Sequence, residues 1–126
     1  MGSHINFITA ASVTAGNTAT LVQRVRITND GKLCVGTTSG PGQVGLYLGD
    51  GTNPAGHIYA NGTHHMYILA NAYHDGAWKY LGNGEAQSLS IADGEFNFHT
   101  AGNNTSGAGN GVSWQTRLTI SSNQNI

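Results

Sequence analysis

Ser88-Leu89-Ser90-Ile91-Ala92-Asp93-Gly94-Glu95-Phe96-Asn97-Phe98 is two short runs of alternating apolar and polar residues joined by an Asp-Gly pair. Alternation with period two sends Leu89 and Ile91 to one face of a strand, and Phe96 and Phe98 to one face of the next. The two central residues of a tight hairpin turn need positive φ, which Asx-Gly supplies at little steric cost. The same punctuation recurs at Asp30-Gly31, Asp50-Gly51, Asn61-Gly62 and Asp75-Gly76. Between these pairs lie further period-two runs: Val25/Ile27, Leu33/Val35, Leu46/Leu48 and Leu118/Ile120. His57-Ile58-Tyr59-Ala60 and residues 63–73 flank Asn61-Gly62 as the arms of a hairpin. Within the second arm, residues 65–70 are apolar on both faces, which predicts a strand buried on both sides. No segment carries a capped 3.6-residue stripe. The pattern predicts an all-β chain of short antiparallel strands.

The end of the chain also repeats its beginning. Asn6-Phe7 leads to Gln23-Arg24-Val25-Arg26-Ile27-Thr28-Asn29-Asp30, and Asn97-Phe98 leads to Gln115-Thr116-Arg117-Leu118-Thr119-Ile120-Ser121-Ser122-Asn123. Arg24 falls on Arg117, an offset of 117 − 24 = 93 residues. A period this long marks a structural unit recurring along an array, each unit leaning on its neighbours. The predicted organisation is a leader left by cloning at residues 1–4, a first junction at 5–36, a β-rich body at 37–96 and a second junction at 97–126. Residues 103–111 are rich in Asn and Gly and read as a surface loop.

Composition limits what the chain can do. Only 9% of its 126 residues are charged, against about 25% in an ordinary domain. Glycine takes 19 positions, and apolar residues make up 38%. The patterning of those apolar residues argues against disorder. A small chain with this little to bury has a marginal core, and its single cysteine, Cys34, excludes an internal disulfide. Oligomerisation is the expected remedy. A net charge of −1 with five Lys plus Arg gives no basic stripe for a nucleic-acid backbone. No apolar run reaches the ~20 residues of a membrane helix.

At the first junction, residues 24–38 resemble a segment that recurs in bacteriophage tail fibres and tailspikes, notably of marine and cyanobacterial phages. Cys34 stands where that segment usually carries a small residue or glycine. Tyr73-His74-Asp75-Gly76-Ala77-Trp78-Lys79-Tyr80 is similar to a segment found upstream of the junction in the same proteins. Residues 113–120 are similar to the approach to that junction. Together these stretches cover about half the chain, in matching order. The resemblance implies a fibrous homotrimer of a virion, built from ~93-residue units and assembled in the host cytoplasm, in the part that meets the host surface. The alternative from another class is a carbohydrate-binding β-module of a bacterial surface or secreted protein.

Candidate residues follow from both readings. Val25, Ile27, Leu118 and Ile120 are expected to pack between chains or against a neighbouring unit. Sugar rings stack on exposed aromatic faces, so the Tyr- and His-rich body is the candidate glycan-binding surface, with Tyr47, His57 and Tyr59 foremost. Trp78 and Trp114, inside the family-like stretches, read as packing residues. Adjacent His64 and His65 point to opposite faces of a strand, and the chain has no His-x-His, so neither a metal site nor any cofactor is expected. Asp75 and Asp93 are explained by the glycines that follow them, and Glu85 and Glu95 as solvated acids. No catalytic residues and no enzyme activity are expected.

Overall fold

A computed structural model describes residues 3–37, 39–49, 54–61 and 63–123. Among these the chain is all-β and mostly antiparallel. Its strands are β1 (Ile5–Ala10), β2 (Leu21–Ile27), β3 (Leu33–Val35), β4 (Leu46–Gly49), β5 (Pro54–Asn61), β6 (His65–Ala70), β7 (Ala72–His74), β8 (Trp78–Tyr80), β9 (Gly84–Ala92), β10 (Glu95–Asn104) and β11 (Gln115–Ser121). Nine of them form one sheet in the order β1-β2-β3-β4-β5-β6-β9-β10-β11, and β7-β8 form a separate hairpin. One pair departs from the antiparallel expectation, since β3 and β4 run parallel. The segment from 36 to 45 is long enough to return the chain to the same end of the sheet, which a two-residue turn cannot do.

The hairpin turns expected at Asp93-Gly94 and Asp75-Gly76 fall where those pairs stand. β9 and β10 meet across Ala92↔Glu95, with Asp93 at φ 53° and Gly94 at φ 81°. β7 and β8 close around Asp75-Gly76-Ala77, and β5 and β6 pair as far as Asn61↔His65. Asp50, Gly51 and Gly62 lie outside the described residues.

The second arm of the β5-β6 hairpin does not run unbroken from 63 to 73. Asn71, at φ 51°, ends β6 and turns the chain out of the sheet into β7. Asparagine reaches this region because its short amide can bond locally. Its side chain donates from Nδ2 to the carbonyls of Asn83 (3.2 Å) and Glu85 (3.0 Å), and Oδ1 accepts from the Gly82 amide (2.9 Å). Its backbone accepts from Leu81 and donates to Ala55. One residue thus ties the start of the β7-β8 hairpin to β5 and to the loop that enters β9. Asn104 does similar work for residues 103–111, donating to the Gly82 and Gly107 carbonyls at 2.8 and 2.6 Å. That loop is largely exposed, as its composition suggests, but it also bonds along β8 through Tyr80, Asn110 and Gly109.

The β7-β8 hairpin and this loop lie over a single face of the sheet. The core there is Tyr59, Leu69, Ala72, Tyr80, Ala86 and Ala101, with Tyr67, Trp78, Val112 and Trp114 packed against it. Small Ala86, Ser88, Ser90 and Ala101 on β9 and β10 make room for these large rings. Residues 65–70 are therefore covered on one side only: Leu69 is buried, whereas Met66 and Ile68 are both 42% exposed.

Two substitutions test this architecture. Gly94→Val places a β-branched residue at φ 81° with its Cβ meeting only Ser122 Oγ at an ordinary 4.0 Å, so the cost is conformational. The expected loss in chemical denaturation is about 2 kcal/mol. Asn71→Ala leaves the 81–85 loop without its bridging amide, and a loss of about 2 kcal/mol is expected there too.

Candidate functional site

The two faces of the sheet differ in chemistry, and register shows how. On the covered face, Cys34 pairs with Tyr47, Tyr47 with His57, and His57 with Leu69. Two residues along, Tyr59 pairs with Tyr67. The rings stack in sequence: Tyr47 on His57 with centroids 3.9 Å apart, His57 on Tyr59 at 4.8 Å, and Tyr59 on Tyr67 at 5.2 Å. Trp78 meets Tyr67 and His74 edge-on at 5.1 and 4.9 Å, and Trp114 meets Trp78 at 5.9 Å. Both tryptophans are packing residues of this layer, the role that the family-like stretches imply for them.

The expectation that Tyr47, His57 and Tyr59 form an exposed binding surface is corrected. Tyr47 and His57 are 0% exposed and Tyr59 is 3% exposed. The reason is the cover. The 40–45 loop folds over the start of this ladder, and the β7-β8 hairpin lies over its end. Gly45 backs the imidazole so closely that a Cβ there would sit 2.8 Å from His57 Nε2 and 2.3 Å from the Ile58 carbonyl oxygen. Tyr47 donates its hydroxyl to the Pro41 carbonyl, with the Gln43 carbonyl at 3.1 Å. No face of these three rings is left for a sugar.

Burial also sets their ionisation. It pushes the Tyr47 and Tyr59 hydroxyls well above the usual phenol range and raises the Cys34 thiol. His57 is pulled down from 6.5 to about 4, chiefly by burial; Gln43's backbone opposes the shift, and the Lys32 charge adds to it. Neither ring nitrogen of His57 has a hydrogen-bond partner of good geometry among the described residues. The imidazole is held neutral, as a stacking ring. Elsewhere His65 lies 3.1 Å from Asp93, and Lys79 is paired with Asp75 at 2.9 Å. Among the described residues no three His, Cys, Asp or Glu gather in a metal-holding group.

The opposite face carries an unbroken row of aliphatic and aromatic side chains. Following the register, Ile5 pairs with Ile27, Ile27 with Leu33, Leu33 with Leu46, Leu46 with Ile58 and Ile58 with Ile68. Ile68 continues to Leu89, Leu89 to Phe98 and Phe98 to Leu118. Every strand of the nine-stranded sheet contributes one apolar residue. A parallel row runs Met66, Ile91, Phe96 and Ile120. Exposure reaches 60% at Ile5 and 52% at Leu118. Val25 and Ile120 are half-buried and Ile27 is exposed, so the four residues expected to pack between chains or units all lie on this open face. The alternating pairs of the sequence all end here as well. Alternation was the signal, and register is what aligned it.

Comparison with protein-family models, with curated proteins and with solved structures finds no match for this chain.

The neutral, buried imidazole makes a pH prediction. A group whose folded pKa is depressed to about 4 from 6.5 takes up its proton more readily when unfolded. Stability is therefore full above pH 6.5 and lost as pH falls through 6.5 toward 4. In His57→Phe the ring stays in the stack without a basic nitrogen. Its melting temperature at pH 7 is expected to equal or exceed that of the parent. The fall in melting temperature between pH 6.5 and 4 should be shallower, with His99, also lowered by burial, accounting for part of what remains.

Proposed function

We propose that this chain is a structural unit of a viral tail fibre, a β-rich repeat that associates as a homotrimer and contributes to host attachment by building the fibre that carries it. The observation that supports this most directly is the nine-residue apolar row on the open face. A fully exposed Leu, Ile or Phe gains roughly 1.5–3 kcal/mol when buried, and half-exposed side chains gain about half of that. A contiguous apolar strip of this length marks an association surface. It carries no charged side chain, so the same surface of another copy can face it without stranding an ion. Three copies around an axis would bury the row of each chain against the other two. The other support is the sequence resemblance at the junctions.

The alternative, a carbohydrate-binding module, rests on exposed aromatic faces. Burial of Tyr47, His57 and Tyr59 removes the residues on which that reading stood. Attachment is accordingly assigned to the fibre as a whole, with this unit as part of its length. No nucleic-acid or membrane-inserting role and no catalytic role is proposed.

Light scattering on the purified chain is expected to give three times the 13.1 kDa of one chain. Ile68→Asp and Leu118→Asp alter side chains that are exposed in the single chain, so each should lower the assembled mass while leaving the β circular-dichroism signal in place. A stable, folded 13.1 kDa parent species would reject the trimer. A host-cell adsorption assay on the assembled protein tests the attachment role.

A further inference from the structure

The hairpins at the two ends of the sheet are built alike. β1 and β2 pair at Phe7↔Val25, then skip Arg24 in a bulge so that Ile8 faces Gln23. β10 and β11 pair at Phe98↔Leu118, then skip Arg117 so that His99 faces Thr116. In each bulge the arginine reaches back across the hairpin. Arg24 Nε donates to Thr9 Oγ1 at 2.8 Å, and Arg117 Nε donates to Thr100 Oγ1 at 2.7 Å. Asn6 and Asn97 occupy the same place and accept from the opposite strand through Oδ1, from Arg26 and from Thr119. A bulge is a placed feature that fixes local twist and register. Two hairpins with the same bulge, bridge and pairing present the same edges to a neighbour.

What lies beside them differs. β2 is flanked by β3, through Val25↔Val35, Arg26↔Cys34 and Ile27↔Leu33. β10 is flanked by β9, through Asn97↔Ser90 and Phe98↔Leu89. Each hairpin thus shows the partner that the other lacks among the described residues. Neither β1 nor β11 carries the lysines or proline that commonly guard an edge strand. The turn chemistry agrees as well. Thr28, whose Oγ1 accepts from the Lys32 amide to start β3, corresponds to Ser121, which has the same hydroxyl.

We infer that the outer edge of β11 is a docking site for the Leu33–Val35 strand of a following body of the same sequence, in the register Leu118↔Val35, Thr119↔Cys34 and Ile120↔Leu33. By the same equivalence the outer edge of β1 receives a β9 strand of a preceding body, with Phe7 opposite Leu89 and Asn6 opposite Ser90. Successive units share one hairpin and continue one sheet. Each unit adds seven strands, the nine of the sheet less the shared two, or about 34 Å across the strands. Both dockings place apolar residues on the open face and polar or small ones on the other, so the two faces keep their chemistry from one unit to the next. The inference rests on the repeat reading proposed above and is independent of the trimer and of host attachment.

The test is a tandem polypeptide in which residues 31–123 follow Asn123 of the full chain, compared with the single chain by amide hydrogen exchange in dilute solution. Light scattering on each sample keeps the assembly state a separate readout. The expected result is at least about tenfold slower exchange of edge-facing amides within residues 115–121 in the tandem, with a folded second body and one cooperative transition. Cys34→Pro in the second copy alone removes a ladder amide and should return those amides to the single-chain rate. A second body that folds without slowing exchange at 115–121 overturns the docking. A second body that stays unfolded also overturns it, because the shared hairpin is then no template. A monomeric tandem that gains the protection upholds the docking while rejecting the trimer.

Discussion

A single sheet has two faces, and this chain carries cover for one. The only layer laid over the sheet, among the described residues, is the β7-β8 hairpin with the loops around it. The residues that need water excluded from them therefore gather on that side. Tyr47, His57, Tyr59 and Tyr67 stack where the 40–45 loop and Trp78 can close over them. The other face is left with its aliphatic row in solvent. A protein of 126 residues with 9% charge has few ionised groups to place beside it. The apolar face is the surface that the proposed association would cover.

Two asparagines hold the cover in place. Asn71 and Asn104 each bond backbone groups distant in sequence, and both reach the 81–83 turn, which lies between the hairpin and β9. Their amides satisfy carbonyls and amides that a loop would otherwise leave unpaired, and this lets non-strand backbone lie close to the core. The aromatic layer depends on them at one remove. Without the turn at Asn71, residues 72–74 would continue β6 and no hairpin would cross the face.

Among the described residues the edges of the sheet are β1 and β11. A closed domain protects its edge strands, whereas β1 and β11 here carry no lysine or proline, although each hairpin has one bulge. This openness at the edges and the openness of the apolar face point along different directions. Edge pairing extends the sheet across its strands, and face packing brings separate sheets together. The proposed fibre would use both.

Much of this was legible in the chain itself. The Asp-Gly pairs placed the turns at residues 93–94 and 75–76, and alternation identified the strands. The recurrence of Phe7 and Arg24 as Phe98 and Arg117 marked two like stretches, and strand pairing showed that each is a hairpin. These features are local, set by backbone sterics and by the period of two. Which face would be buried was not legible. Alternation separates two sets of side chains, but it does not say which set the rest of the chain will cover, because the covering residues lie elsewhere in the sequence. Tyr47, His57 and Tyr59 looked like a surface by composition and became an interior because the 40–45 loop and the hairpin turned by Asn71 fold back over them. The aligned apolar row and the parallel β3-β4 pair likewise needed the register of strands far apart in sequence. Local sequence decided where the chain turns and which residues share a side; only long-range pairing decided which side meets water.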